Sequence, residues 1–310
     1  SVMNAIDPSV MADPVTGKWW MHYGSFFGGL YCVELDPETG LPAEEGDQGH
    51  LTARRANYQK DNLEAPEIIY NPDLKQYYLF VSYDPLMTTY NVRVGRSDKA
   101  EGPFVDFSGV ELKDTTNNFP ILTAPYRFHN HPGWAGTAHC SVFTSDEGQY
   151  FMAHQGRLSP HNQMMDLHLR QVFFTPDGWP VVSPERYTGC VSRKFSAEDM
   201  AGEWEVIRIQ EPAYERRLQA GQILWGEGQL KEEEWNVSHL LSLEKNGNLG
   251  ENKGTWELLE AKQLLSLTLE GEIINNLIIF AGHDWENEKE TVLFTGLDSC
   301  GRSIWGKRIK

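Results

Sequence analysis

The sequence predicts an all-β protein in which propeller-type blades are followed by a smaller β-rich domain. Three observations support this. Short stretches of aromatic or β-branched residues are divided by Gly, Pro, Asn and Asp. A unit with a polar opening residue recurs along the first two-thirds of the chain. Composition then changes after roughly residue 190.

Taken in order, the expected strands of the first part are Lys18–Tyr23, Gly29–Leu35, Tyr77–Tyr83, Tyr90–Gly95 and Tyr150–His154. Turn signals separate them at Asp36–Gly40, Asn71–Asp73 and Thr175–Gly178. The repeat begins at Asp7-Pro8-Ser9, which leads through a turn into Lys18–Tyr23. Glu64-Ala65-Pro66 leads likewise into Gln76–Ser82, and His139–Phe143 into Gln149–His154. The three openings lie 57 and 75 residues apart, which suits four-stranded blades with loop insertions. A β-sandwich is the other arrangement such strands allow. In a propeller the innermost strands converge on one axis, so the polar openings would meet in a central funnel.

Phe195–Asp199 and Ala201–Val206 read as a linker running into a strand. Strands are expected at Leu218–Leu224, Trp235–Leu243, Gly254–Leu259, Leu264–Leu269, Asn276–Ala281, Thr291–Leu297 and Ser303–Lys307. Helix is the alternative for parts of 240–243 and 258–269, although the alternation Leu265-Ser-Leu-Thr-Leu269 favours strand. The expected division is residues 1–195 and 196–310.

Composition narrows the function. The 310 residues are 40% hydrophobic and 12% aromatic, enough for a real core. Lys plus Arg total 27 against 44 Asp plus Glu, a net charge of −17. Such a chain repels phosphate backbones and anionic lipid, so the expected partner is neither nucleic acid nor membrane. No run of about 18 apolar residues is present. Cys32, Cys140, Cys190 and Cys300 are far apart, without the spacing of a zinc or iron–sulfur site or a disulfide framework. Nothing at the start resembles a signal peptide. Ser1 has no methionine before it and a structured motif begins by Asn4, which points to a removed leader, a cloning boundary or a chain cut in two.

Glycosidic bonds need acid–base help because an alkoxide leaves poorly, and two carboxyl groups usually supply it. Glu64 is the best acid candidate: it precedes Ala65-Pro66, where extended backbone is favoured, so a strand can aim it along a cleft. Its ordinary reading is a solvated loop-edge glutamate. Glu67, three residues on, would face the opposite side by strand alternation. Asp7 precedes Pro8 at the matching place in the first unit, where the ordinary reading is an Asx turn. His139 opens the third unit behind Gly133–Thr137, and faces either substrate or metal, or bonds to backbone in a wall. His154, Arg157 and Arg170 are weaker candidates.

These residues resemble glycoside hydrolase family 43 arabinanases of the two-domain type. Asn4–Val10 with Tyr23–Leu30 is similar to their third blade. Leu63–Tyr70, Tyr77–Asp84, Asn91–Ser97 and Gly102–Asp106 resemble the fourth blade, and Ala138–Phe143 the opening of the fifth. Gly178–Tyr187 is similar to the segment that closes the propeller. Phe294–Asp298 with Ser303–Lys307 resembles the C-terminal β-barrel-like module. The resemblance implies a five-bladed β-propeller, with blades 3–5 in this chain, and inverting endo-hydrolysis of α-1,5-linked arabinofuranose in plant arabinan by a secreted enzyme. Glu64 matches the general acid, and Asp7 the carboxylate that tunes and orients it. His139 matches a histidine tied to a calcium ion, or to sodium in some members, directly or through water. Ser25, Phe27 and Asn91 are implied substrate contacts. The family's general base is an aspartate opening the first blade. It is therefore expected on a companion N-terminal segment, without which hydrolysis would fail. The alternatives are an exo-arabinanase, arabinofuranosidase or β-xylosidase of the same fold, and a non-catalytic carbohydrate-binding propeller.

Overall fold

The computed structural model describes residues 4–55, 62–114, 117–191, 193–211, 229–269 and 271–310. The expected strand Leu218–Leu224 lies outside the described residues. Two four-stranded antiparallel sheets come first. One is β1 (Ser9–Ala12), β2 (Trp19–Tyr23), β3 (Leu30–Leu35) and β4 (His50–Ala53). The next is β5 (Leu63–Asn71), β6 (Gln76–Tyr83), β7 (Asn91–Ser97) and β8 (Ile121–Thr123). In the third, β11 (Ser141–Thr144), β12 (Tyr150–Leu158), β13 (Asp166–Phe174) and β14 (Pro180–Val182) pair in sequence order. The short β9 (Tyr126–Arg127) and β10 (Trp134–Ala135) extend it from β12. Sequence order within each sheet is the mark of propeller-like blades. The five strands expected in this part each begin within one residue of the predicted start.

Alternation explains why β6 is buried along nearly all its length. Tyr78 and Phe80 point into a core shared with Val92, Met152 and Val172 of the second and third blades. Tyr77, Leu79, Val81 and Tyr83 point the other way, into a core with Leu30, Leu63 and Phe104 of the first and second. A blade packed on both faces therefore reads as a continuous apolar run, unlike a strand wetted on one face. Local chemistry sets the turns. The Asn71 side chain accepts from the amides of Asp73 and Leu74 at 3.0 and 3.1 Å, an Asx turn. Gly178 closes the 175–178 turn with φ +82°, a region costly for residues with a Cβ.

A single helical turn, α1 (Ala197–Met200), is capped by Ser196, whose side chain accepts from the Asp199 amide. It leads into a closed barrel of β15 (Gly202–Arg208), β17 (His239–Leu243), β18 (Asn248–Leu249), β19 (Gly254–Leu259), β20 (Leu264–Leu269), β21 (Glu272–Asp284), β22 (Lys289–Leu297) and β23 (Ser303–Arg308). The strand β16 (Asn236–Val237) leaves the barrel and pairs in parallel with β9 of the third blade. Residues 240–243 and most of 258–269 are strand, not helix, among the described residues. Leu265 and Leu267 turn into the barrel core beside Trp204 and Phe294.

The barrel is bolted to the blades. Thr295 Oγ1 donates to the Val182 carbonyl at 2.8 Å, and Ser303 Oγ to that of Ile121 at 2.6 Å. Between them lies a buried charge cluster. Lys307 Nζ donates to Glu185 Oε1, three residues past the end of β14, at 2.8 Å and pairs with Asp284 at 3.1 Å and with Glu286. The Phe128 ring covers the ammonium, its centroid 3.8 Å away. Burial pushes the Glu185 carboxyl up to about 8, against the pull of Lys307.

His22 on β2 is fully buried. Its Nε2 lies 2.9 Å from the Ala100 carbonyl, and its ring meets Phe104 edge-on at 5.5 Å. Burial lowers its pKa from 6.5 to about 4. The unfolded chain therefore takes up a proton below pH 6.5 that the folded chain refuses until about pH 4. Stability should fall across that window by roughly 3 kcal/mol from this residue. Urea titrations of His22→Gln between pH 7 and 4 should show a flatter decline than the parent; parallel curves would remove His22 as the cause.

Candidate active site

The innermost strands β1, β5 and β11 enter their blades through a shared backbone device. Asp7, Ala65 and His139 each hold a positive φ, of 55°, 51° and 54°. Non-glycine residues in this region cost about 1–3 kcal/mol each and cluster at functional sites. The three form one structural set: Asp7-Pro8-Ser9, Ala65-Pro66-Glu67 and His139-Cys140-Ser141. All nine residues except Ser9 line a cavity of about 520 Å³ between the blades. The repeat expected from sequence is real, but its register shifts by one. Asp7 is the counterpart of Ala65, not of Glu64. The extended backbone expected before Pro66 also gives way to the left-handed turn at Ala65.

That turn has a second consequence. Glu64 pairs with Ser82 and Glu67 with Phe80, so three steps along β5 match two along β6. The bulge absorbs one residue and puts Glu67 on the same face as Glu64, correcting the opposite-face expectation. Glu67 ties the three blades together. Its Oε2 accepts from Ser9 Oγ at 2.8 Å, and its Oε1 from Ser141 Oγ at 2.8 Å and the Val142 amide at 3.0 Å. With both oxygens so engaged, Glu67 is a staple and not a proton carrier.

Glu64 is held differently. Ser25 Oγ donates to its Oε2 at 2.9 Å and Tyr90 Oη to its Oε1 at 2.5 Å, fixing the carboxyl without closing it off. Asp7 Oδ2 accepts from the amide of Ala65 at 3.3 Å, so the two acids stand at adjoining backbone positions across the first two blades. Burial and then the Glu64 charge hold the Tyr90 phenol well above its ordinary range, so it remains a donor. The loop carrying Ser25 is anchored by the Phe26 amide on the Leu63 carbonyl at 2.8 Å, which leaves the Phe27 ring about half exposed nearby. His139 is exposed at the cavity, and its amide donates to Ser82 Oγ at 2.8 Å.

Asn91 is not brought to the site. It is fully buried, its amide donating to Asp84 Oδ2 at 2.7 Å and the Thr89 carbonyl at 2.9 Å, while its oxygen accepts from Arg93 Nε at 2.9 Å. The side chain is consumed by a structural network and is corrected from substrate contact to scaffold. Arg157 and Arg170 clamp backbone carbonyls at Asn162 and Ser183, both at 2.7 Å. His154 lines the cavity, with Nδ1 donating to the Gln155 carbonyl and Nε2 accepting from Arg170. Burial and then Arg170 hold its pKa near 3, so it is neutral. Sequence reasoning missed the roles of Tyr90, Ser82 and Glu67. A readable signal existed for Glu67: it stands two residues after Ala65, as Ser9 follows Asp7 and Ser141 follows His139.

Glu185, Asp284 and Glu286 could coordinate a cation, each offering an oxygen within 4.8 Å of the others. They are the only such group among the described residues, and the Lys307 ammonium already lies against all three. Around His139 the described residues assemble no comparable set, and hard cations such as calcium favour several oxygen ligands. The residues present do not by themselves build the metal site expected there. No helix among them is long and apolar enough to cross a membrane.

Comparison with known proteins agrees with this architecture. Residues 1–180 match glycosyl hydrolases family 43, and residues 184–306 match its C-terminal lipocalin-like domain. An extracellular endo-α-(1→5)-L-arabinanase of Thermotoga petrophila is 30% identical over 99% of the chain, and one of Bacillus subtilis is 27% identical over 98%. The chain spans 64% of the length of both. The solved Thermotoga petrophila endo-1,5-α-L-arabinanase superposes with a TM-score of 0.82 at 27% identity, covering 99% of this chain and 68% of that one. A family 43 glycoside hydrolase of Bacillus licheniformis shares the fold at 24% identity, with a TM-score of 0.83, over 100% of this chain and 69% of that one. With residues 1–180 and 184–306 matched by the family's two domains, and a relative 30% identical over 99% of its length, the chain belongs to glycosyl hydrolases family 43.

Proposed function

We propose that the protein hydrolyses α-1,5-linked L-arabinofuranosyl bonds within arabinan, outside the cell, with inversion. The observation that carries this is Glu64. Its carboxyl is gripped by two hydroxyls beside an Asp7-anchored turn, one residue along the chain from Ala65, which lines the cavity with Asp7 and His139. Glu64 donates the proton to the leaving oxygen, and Asp7 orients it and biases it toward the protonated form. Phe27 and Ser25 contact the sugar. His139 faces the reaction centre. The general base belongs to a companion N-terminal segment, and the boundary between propeller and ancillary domain falls at residues 195/196. Relatives named as extracellular endo-arabinanases support the reaction and its location, and the 64% span supports a further segment of the protein.

A relative from Cellvibrio japonicus is named an exo-α-(1→5)-L-arabinofuranosidase, 28% identical over 62% of this chain. Exo action is therefore the second reading. Product analysis on linear arabinan by the full-length protein separates the two: endo action releases a ladder of oligosaccharides early, whereas exo action releases one small product throughout. Asp7→Asn removes a negative charge beside the donor. The alkaline limb of the pH–rate profile should move to lower pH, with activity lost there first. An unmoved limb would take the tuning role from Asp7.

A further inference from the structure

We propose that Glu67 is a positioning residue for the acid pair: through Ser9 it holds the Asp7 carboxylate at the turn next to Glu64. This rests on the reading of Glu64 as proton donor. Strand pairing does not set that placement. β1 pairs with β2 and β5 with β6, and no ladder joins β1 to β5 among the described residues. The direct bond, from the Ala65 amide to Asp7 Oδ2, is long at 3.3 Å. A firmer hold lies two residues on. The Ser9 hydroxyl donates to Glu67 Oε2 at 2.8 Å and accepts from the Ile68 amide at 3.2 Å, so it is wedged against two consecutive residues of β5. Ser9 is only 9% exposed, which shields both bonds from water.

Pro8 carries that hold back to Asp7. Its ring fixes its own φ and Asp7 keeps a φ of 55°, so the link from Ser9 to Asp7 is short and has little freedom. The bulge in β5 completes the device. Glu64 and Glu67 fall on one face, so a single strand presents both acid and anchor, and the first blade answers with Asp7 and Ser9. Glu67 is itself held from the third blade by Ser141 Oγ at 2.8 Å and the Val142 amide at 3.0 Å, bonds that stop its carboxylate from following Ser9. Hydrogen bonds to a carboxylate are about twice as strong as neutral ones. A misplacement near 1 Å can cost a reaction about a hundredfold, so an anchor outside the chemistry governs its rate. The charged or titratable groups that share the site with Asp7 and Glu64 are Tyr90 before β7, Glu67 on β5, and His139, His154, Arg157 and Asp166 on the third blade.

The test is the pH dependence of kcat and KM on linear arabinan, with thermal melts, for the full-length protein and its Ser9→Ala, Glu67→Ala and doubly substituted forms. Ser9→Ala changes no charge, and Ser9 does not line the cavity. Turnover should nevertheless fall roughly tenfold, with KM within about twofold of the parent. The alkaline limb should move to lower pH by about half a unit, because a released Asp7 no longer holds its charge against Glu64. Glu67→Ala should move the limb further the same way, since its own charge leaves too, and it decides the matter if Ser9→Ala fails to fold. The double substitution should match Glu67→Ala alone, as the two ends of one bond do. A limb unmoved in either single variant, or losses that add in the double form, overturns the positioning role and leaves Glu64 as donor. Undiminished turnover in Glu64→Gln overturns the donor reading and the positioning role with it.

Discussion

Glu64→Gln should lower turnover on arabinan by about two to four orders of magnitude, the usual contribution of a positioned general acid. The melting temperature should stay close to that of the parent. The substituted amide can still accept from Tyr90 and donate to Ser25, so the two bonds that hold the side chain survive. What is lost is the proton. The effect is large because, in the proposed mechanism, Glu64 is the group that supplies the leaving alkoxide with its proton. Asp7 keeps its bond to the Ala65 amide in the variant, so the first two blades remain in register. Turnover assays alongside thermal melts check this; a melt lowered as steeply as activity would mean that Glu64 holds the blades rather than the reaction.

The second large effect concerns stability. Lys307→Met should destabilise the protein by about 3–5 kcal/mol, because it leaves Glu185, Asp284 and Glu286 facing one another in a buried place without their cation. The cluster joins Glu185, three residues past the end of β14, to the β21–β22 turn and β23 of the barrel. The same loop is stitched to the blades by Trp285, whose Nε1 donates to the Arg186 carbonyl at 3.3 Å and whose ring stacks under the Arg186 guanidinium at 4.4 Å. Chemical denaturation should show the loss as a lower midpoint. A change below about 1 kcal/mol would mean that the carboxyls are protonated and need no counter-charge.

Much of this fold is legible in the sequence because its signals are local. Strands such as Tyr77–Tyr83 announce themselves by aromatic and β-branched content, and turns such as Asn71–Asp73 by residues whose side chains close them. The polar openings at Asp7, Glu64 and His139 point to a common funnel. Their register was not legible, because it depends on a left-handed residue in each opening. Asp and His tolerate that conformation, but nothing about Ala65, least of all before a proline, signals it. From that one turn follow both the bulge and the reversal of Glu67. Asn91 misled for a related reason: one asparagine serves a sugar or a buried Asp84–Arg93 network equally well, and only the fold decides. Ser82 lies on β6 and Tyr90 immediately before β7, where sequence shows only good strand formers, and their roles appear once those strands pair.

The most direct test is the dependence of Glu64→Gln on the leaving group. A proton donor matters when an alkoxide must depart and matters little when the leaving group is already a stable anion. The variant should lose two to four orders of magnitude on arabinan, as a general acid would. On a dinitrophenyl arabino-oligosaccharide it should cleave the aryl bond at close to the parent rate. Equal losses on both substrates would contradict the assignment of Glu64 as the acid.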